Sequence, residues 1–215
     1  MASQGPNFPT SAANNTFLGS VGWVNVTNIE TDDNNSATAV LTLMGDVTNF
    51  ALGSAFGFSI PAGATINGIL LEVKRAAGLI SNIDTSTNGA ALTKDGGSNF
   101  ISKNPSDSWP TVLTYQSYGS SSDLWGTTWT PAQINSNLFG AGISATNNGG
   151  VLDTASVDAI RVTVFYTPAV LLDWAQPTNQ LPKSLPRKIH SEKAVVGVGQ
   201  AEIPASGCLR QASSR

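Results

Sequence analysis

A single histidine, His190, and a single cysteine, Cys208, are all this chain offers of the two side chains that most often act as bases, nucleophiles or soft metal ligands. With no second histidine and no clustered cysteine, it has neither a zinc site of the usual ligand types nor a Ser-His-Asp arrangement. His190 lies in the basic stretch Pro186–Lys193 and reads as a solvated tail residue, since a catalytic base needs packed support. Cys208 has no partner for an internal disulfide. Paired carboxylates are the remaining enzymatic route, because cleavage of a glycosidic bond needs only two at a defined separation. Asp32, Asp33, Asp46, Asp123, Asp153 and Asp158 are available. All but Asp158 fall in Asn-, Ser- or Gly-rich stretches, where Asp serves turn formation. Asp32, Asp33, Asn34 and Asn35 could offer oxygens to calcium, but without the ordered spacing of a known loop. The run Val195–Gly199 lacks the lysine and following helix that would hold a phosphate. The sequence therefore predicts no catalytic residue, no metal site and no cofactor.

Aromatic residues are denser. Trp109, Tyr115, Tyr118, Trp125 and Trp129 fall within 21 residues, interleaved with Ser, Gly, Asp and Thr. Three readings stand side by side: a core cluster, a protein interface, or a sugar-binding face, with Trp109, Tyr118, Trp125 and Trp129 as the candidate aromatic surface.

The elements that must position these residues read as strands. Forty per cent of the 215 residues are hydrophobic, 12% are charged and 21 are glycine. That is apolar material for one sizeable core, with a composition that suits strands and turns better than surface helices. Three segments alternate with period two: Ala37–Met44, Ile66–Arg75 and Ala155–Tyr166. They place Leu41, Leu43, Ile69, Leu71, Val73, Ile160, Val162 and Val164 in the expected core. Weaker strand candidates are Val21–Val26, Ala55–Ser59, Ala90–Lys94, Phe100–Lys103, Val112–Ser117 and Leu138–Ala145. Loops Thr31–Ser36, Asp84–Gly89, Asp95–Asn99 and Thr146–Gly150 separate them. One helix of barely two turns is expected from Thr130 as cap, Pro131 at the first position and Ile134 facing inward. About nine strands without helical intervals predict an all-β, antiparallel two-sheet sandwich, jelly-roll-like, over residues 20–167, after an N-terminal extension of residues 1–19.

Residues 168–215 differ in character. Pro168, Pro177, Pro182, Pro186 and Pro204 interrupt any ladder or helix, and the apolar residues lose their period. The segment reads as an extended arm with Leu171, Leu172, Trp174, Leu181, Leu185 and Ile189 as apolar anchors and Arg187 and Lys188 beside them. Residues 1–167 carry five basic and eleven acidic side chains, net −6, and residues 168–215 carry six and three, net +3. Opposite signs favour docking of one copy's arm on another copy's body. Six positive charges spread so thinly make a poor nucleic-acid surface. No apolar run approaches the roughly 20 residues of a membrane span, and the N-terminal residues lack the basic and apolar regions of a signal peptide. The expectation is a soluble chain made in a cytosol.

Particular residues resemble a β-sandwich module of tailed-bacteriophage virion proteins. They are Phe56–Ile69, Tyr118-Gly119, Asp123–Gly126, Trp129-Thr130, Phe139-Gly140, Val157–Ile160 and Val162–Tyr166, within a match over about residues 20–167. The resemblance implies a non-catalytic virion component assembled in the host cytoplasm, foremost a capsid cement or decoration protein. Its implied partners are copies of itself and other virion proteins, above all the major capsid protein. The alternative is a tail or fibre component that binds a host receptor or glycan, with a carbohydrate-active enzyme third. Phage analogy also implies a homo-oligomer, with a trimer as the expected order.

Overall fold

β-Branched and apolar residues at alternate positions, separated by Gly, Asn and Asp turns, build ten strands in two sheets. A computed structural model describes residues 1–78 and 80–170 of the chain. The strands are β1 (Ala2–Asn7), β2 (Ser11–Asn15), β3 (Ala37–Leu41), β4 (Phe50–Ser54), β5 (Thr65–Ala76), β6 (Ile83–Thr93), β7 (Ile101–Lys103), β8 (Thr114–Gly119), β9 (Gly140–Asn147) and β10 (Asp153–Thr167). The first sheet runs β1-β10-β5-β8, with β3 also paired to β10, and the second runs β2-β4-β9-β6-β7. All pairings are antiparallel. From β3 onward the chain crosses between the sheets at every connection but β6–β7, which is the connectivity of a jelly roll. The core lies between the sheets, where Leu41, Ile69, Leu71, Val73, Ile160, Val162 and Val164 are fully buried.

Leu43 does not join them. Strand β3 stops at Leu41, and the Asp46 carboxylate accepts hydrogen bonds from the Thr42 and Leu43 amides at 2.7 and 2.8 Å, curling residues 42–46 into a turn that turns Leu43 to solvent. The expected strand Ala55–Ser59 is likewise not part of a ladder. Ala55 and Gly57 both adopt positive φ, so the ladder ends at Ser54. Phe56, Phe58 and Ile60 still enter the core, tied instead by side chains such as Asn135, which bonds both the amide and the carbonyl of Ile60. Val21–Val26 makes only isolated bridges before a 3-10 turn at Val26–Ile29. The expected loop Asp84–Gly89 lies inside β6, which bulges between Thr85 and Ala90. Residues 1–19 are not an extension ahead of the domain, because they contribute one strand to each sheet. The helix shrinks to one turn, α1 (Pro131–Ile134), with Thr130 and Gln133 forming a reciprocal capping box.

Asp158 sits where β10 bulges against β5, between the pairs Val157–Arg75 and Ala159–Lys74. The extra residue shifts the alternation, so that Ala155 and Val157 point inward before it and Ile160, Val162 and Val164 after it. Its carboxylate is buried, 2.7 Å from Lys74 Nζ on the outer face of the first sheet. Asp32 Oδ1 and Asn34 Oδ1 converge on the same ammonium at 2.6 and 2.8 Å. Two of the four residues that sequence offered to calcium, Asp32 and Asn34, thus bind a lysine instead, while Asp33 accepts from the Asn35 amide. Lys74→Met leaves Asp158 buried without a counter-charge, and the expected loss of stability is about 3–5 kcal/mol. Adding Asp158→Leu should recover most of it, measured as urea midpoints at constant m; an unchanged midpoint for Lys74→Met alone would remove this pair from the account.

Candidate functional site

Of the three readings open for the four aromatics, the structure takes the core cluster, and the candidate aromatic surface is not a surface. Trp109, Tyr118, Trp125 and Trp129 are all buried, because each polar edge finds a partner inside the protein. Trp125 Nε1 donates to the Ile69 carbonyl at 3.0 Å, Trp129 Nε1 to the Leu124 carbonyl at 3.0 Å, and Trp109 Nε1 to Thr85 Oγ1 at 3.1 Å. The remaining ring faces are covered by cations: Lys94 stands 4.6 Å over Trp129, Lys103 5.0 Å over Trp125 and Arg75 4.8 Å over Trp109. Arg75 points inward from β5, is ion-paired to Asp107, and shares that carboxylate with the Tyr118 hydroxyl. Gly119 allows the indole of Trp125 to lie against the strand end, since it combines a φ of 83° with contact to the Ile69 carbonyl that a Cβ would obstruct. The arm anchors Leu171, Leu172, Trp174, Leu181, Leu185, Arg187, Lys188 and Ile189, with His190 and Cys208, lie outside the described residues.

Two exposed apolar features emerge in their place. The connections β3–β4, β5–β6, β7–β8 and β9–β10 close one end of the sandwich, since Leu41 pairs with Asp153, Arg75 with Thr114 and Ile83 with Asn147. On these loops stand Leu43, Met44, Ile80, Val112, Val151 and Leu152, each between 50 and 72% exposed. They are six of the twelve large apolar side chains exposed among the described residues. The loops beneath them are braced. Buried Asn147 donates its side-chain amide to the Leu41 and Val151 carbonyls at 3.3 and 2.8 Å, and its backbone bonds Gly45 and Asp46. Asp153, also buried, accepts from the amides of Asn82 and Thr154 at 2.9 and 2.8 Å. Between Gly78, Ile80, Leu152 and Thr154 lies a hollow of about 430 Å³. Full burial of one such side chain is worth about 1.5–3 kcal/mol, so this end holds several kcal/mol of unused association energy before docking costs.

The second feature lies on the outer face of the second sheet. Phe100 stacks on Phe50 at 4.3 Å and 23°, and Phe17 tilts onto Phe100 at 5.1 Å. With Leu18, Asn88 and Ser102 these rings line a cleft of about 290 Å³. Phe50 is buried, whereas Phe17 is 60% exposed. Neither feature was read from sequence, although a signal was present: Leu43-Met44-Gly45 and Gly149-Gly150-Val151-Leu152 put adjacent large apolar residues in turns, where polar residues are normal.

No family model matches the sequence, and no curated protein matches it. A solved structure described as "CBM4 structure and function" is similar over 61% of this chain and 85% of its own, with a TM-score of 0.36 and 9% identity. A likeness at that level carries no argument about what this chain binds.

Among the described residues no three His, Cys, Asp or Glu side chains gather to hold a metal. The ionisable groups of the outer face of the first sheet are occupied with one another. Arg161 makes a two-pronged pair with Glu72 at 3.0 and 2.9 Å and stacks 3.9 Å over the ring of Tyr115. The Tyr115 hydroxyl donates to Asp32 at 2.8 Å. Burial, then the Asp32 carboxylate, pushes the Tyr115 phenol up to about 12, and burial pushes Tyr118 to about 12 as well. The Asp158 and Asp32 carboxylates raise Lys74. A raised folded-state value contributes stability that is complete below the unfolded value, near 10 for tyrosine, and is lost as pH rises through the folded one. Stability should therefore decline between about pH 10 and 12. Phenolate absorbance followed against pH alongside circular dichroism checks this, with Tyr115 and Tyr118 ionising only as the fold is lost.

Proposed function

We propose that this protein is a non-catalytic assembly component of a virion, a cement or decoration protein that binds and stabilises a capsid shell through its jelly-roll domain and C-terminal arm. The observation that supports the reading most directly is the loop end: six large apolar side chains, five of them on loops held by buried Asn147 and Asp153. Loops braced in this way lose little conformational freedom on docking, so most of the buried apolar area counts toward affinity. Exposed apolar side chains gathered at one end supply surface of the kind that protein interfaces use. The sequence resemblance to phage virion modules points the same way. Carboxylates such as Asp32, Asp46, Asp123 and Asp153 are committed to hydrogen bonds within their own loop, to a neighbouring loop or to lysines, an arrangement suited to holding loops still. The partners on this reading are copies of the chain and the major capsid protein.

A second reading, a tail or fibre module that binds a host receptor or glycan, is favoured by the Phe17, Phe50 and Phe100 cleft. An exposed ring over a stacked pair, bordered by Asn88 and Ser102, offers an apolar face and hydrogen-bonding groups of the sort sugars use. The two readings respond to different substitutions. Met44→Ser with Leu152→Ser should leave the thermal midpoint within a few degrees of the parent, because both side chains are already exposed, and should weaken binding to purified capsids at least tenfold. Phe17→Ala should leave capsid binding unchanged. Copies per particle, counted by quantitative mass spectrometry, should match a shell component; a handful of copies together with glycan binding that Phe17→Ala abolishes would instead establish the second reading.

A further inference from the structure

We propose that Lys74 and Asp158 join in an intramolecular isopeptide bond, formed by the folded chain itself with Asp32 as proton carrier, so that the two central strands of the first sheet become covalently linked. This goes beyond the assembly reading and does not depend on it. Strands β5 and β10 are neighbours in that sheet, and the bulge between the pairs Val157–Arg75 and Ala159–Lys74 sets Asp158 against Lys74. The Asp158 side chain is fully buried and that of Lys74 is 14% exposed, with Nζ 2.7 Å from Asp158 Oδ2. Apart from that ammonium, neither Asp158 oxygen has a hydrogen-bond partner. A carboxylate so placed has lost its water and gained one cation, a costly arrangement that an uncharged product relieves. Among the described residues Lys74 alone pairs with two carboxylates.

The step balances without an oxidant or any co-reactant. Lys74 first passes one proton to Asp158, which gives a neutral amine beside an uncharged carboxyl, the pair that burial favours. The nitrogen lone pair then attacks the Asp158 carboxyl carbon, which lies one bond beyond an oxygen at 2.7 Å and so near the separation of about 3–3.5 Å from which such attack proceeds. As the C–N bond forms, Asp32 Oδ1, 2.6 Å from Nζ, takes a second proton and returns it to the departing hydroxyl, which leaves as water. An ammonium and a carboxylate become one amide and one water, and Asp32 ends as it began. Asp32 suits that part because its side chain is 34% exposed and its Oδ2 accepts from the Tyr115 hydroxyl at 2.8 Å, both of which favour its ionised form. Asn34 Oδ1, at 2.8 Å, is a further acceptor that fixes where Nζ stands. The carboxylates that raise Lys74 are the same groups that take its protons, so none has to leave for solvent. The ion pair is the state of the newly folded chain, and the stability of Lys74→Met is compared with the parent in that state.

The test is the mass of the full chain. Purified protein is kept folded in neutral buffer and sampled over days by intact-mass spectrometry, then digested and its peptides sequenced by fragmentation. The expected result is a species lighter than its sequence by one water, with Lys74 and Asp158 joined in a branched peptide. Protein held in urea should stay at full mass, as should Lys74→Arg, which keeps the positive charge but is no nucleophile. Asp32→Asn should form the bond at least about tenfold more slowly. A folded parent that stays at full mass, a loss located at any other pair of residues, or a bond that forms equally in urea overturns the proposal. An unchanged rate in Asp32→Asn overturns the role given to that carboxylate. Circular dichroism matching the parent shows that each variant has folded, and because the first result is read on the parent itself, a variant that fails to fold leaves that result standing.

Discussion

Pairing along both edges of β10 is the interaction on which the rest of the architecture depends. On one side it meets β5 over nearly its whole length, and on the other β1 and β3 in succession. A fifteen-residue strand with both edges satisfied leaves its backbone groups no reason to solvate, and its inward side chains form the floor of the core. The bulge at Asp158 is the one interruption. It turns a buried carboxylate toward Lys74, and Lys74 in turn gathers Asp32 and Asn34. An irregularity in one strand thereby anchors the long loop that follows the 3-10 turn at Val26–Ile29.

The same economy of partners explains the tryptophans. An indole buried among strands needs an acceptor for its N–H, and three backbone or hydroxyl oxygens supply it. What remains of each ring is met by a lysine or arginine, so that the aliphatic stem of the cation and the π face shield one another from water. Trp125 holds a φ of 61°, an unfavourable backbone conformation for a bulky residue. Its amide bond to Asp123 at 2.7 Å and that carboxylate's ion pair with Lys103 at 2.7 Å help keep it there. These residues close the side of the sandwich and are not free for a ligand.

Function then falls to the parts of the surface that the fold has not used. A jelly roll gathers four connections at one end; here all four are tipped with apolar side chains, and three of them are hydrogen-bonded through Asn147 and Asp153. Rigid support beneath exposed leucine, valine and methionine is the arrangement that association rewards, because little order remains to be imposed on docking. The phenylalanine cleft on the second sheet is smaller and shares its rings with a subsidiary core of Phe50, Leu52 and Ala91, which gives it a packing role independent of any ligand.

Alternation by itself determined the class of fold and most of the core. Period-two placement in Ile66–Arg75 and Ala155–Tyr166 marks strands whose inward faces are Ile69, Leu71 and Val73, then Ile160, Val162 and Val164, because a pleated backbone sends successive side chains to opposite sides. Thr130, Pro131 and Ile134 likewise announce their one turn of helix through capping chemistry confined to neighbours. Leu43 was misplaced because its fate depends on Asp46 folding back on the chain, a choice between two local bonds that periodicity does not see. The strands of residues 1–19 carry too few large apolar side chains to announce themselves and exist only because β10 and β4 offer free edges. Trp109, Tyr118, Trp125 and Trp129 could equally have formed a surface until Ile69, Leu124 and Thr85 came within hydrogen-bonding distance. The placement of Leu43, Ile80, Val112 and Leu152 at one end was decided by tertiary structure alone, since four separate loops reach the same end only when both sheets are in register.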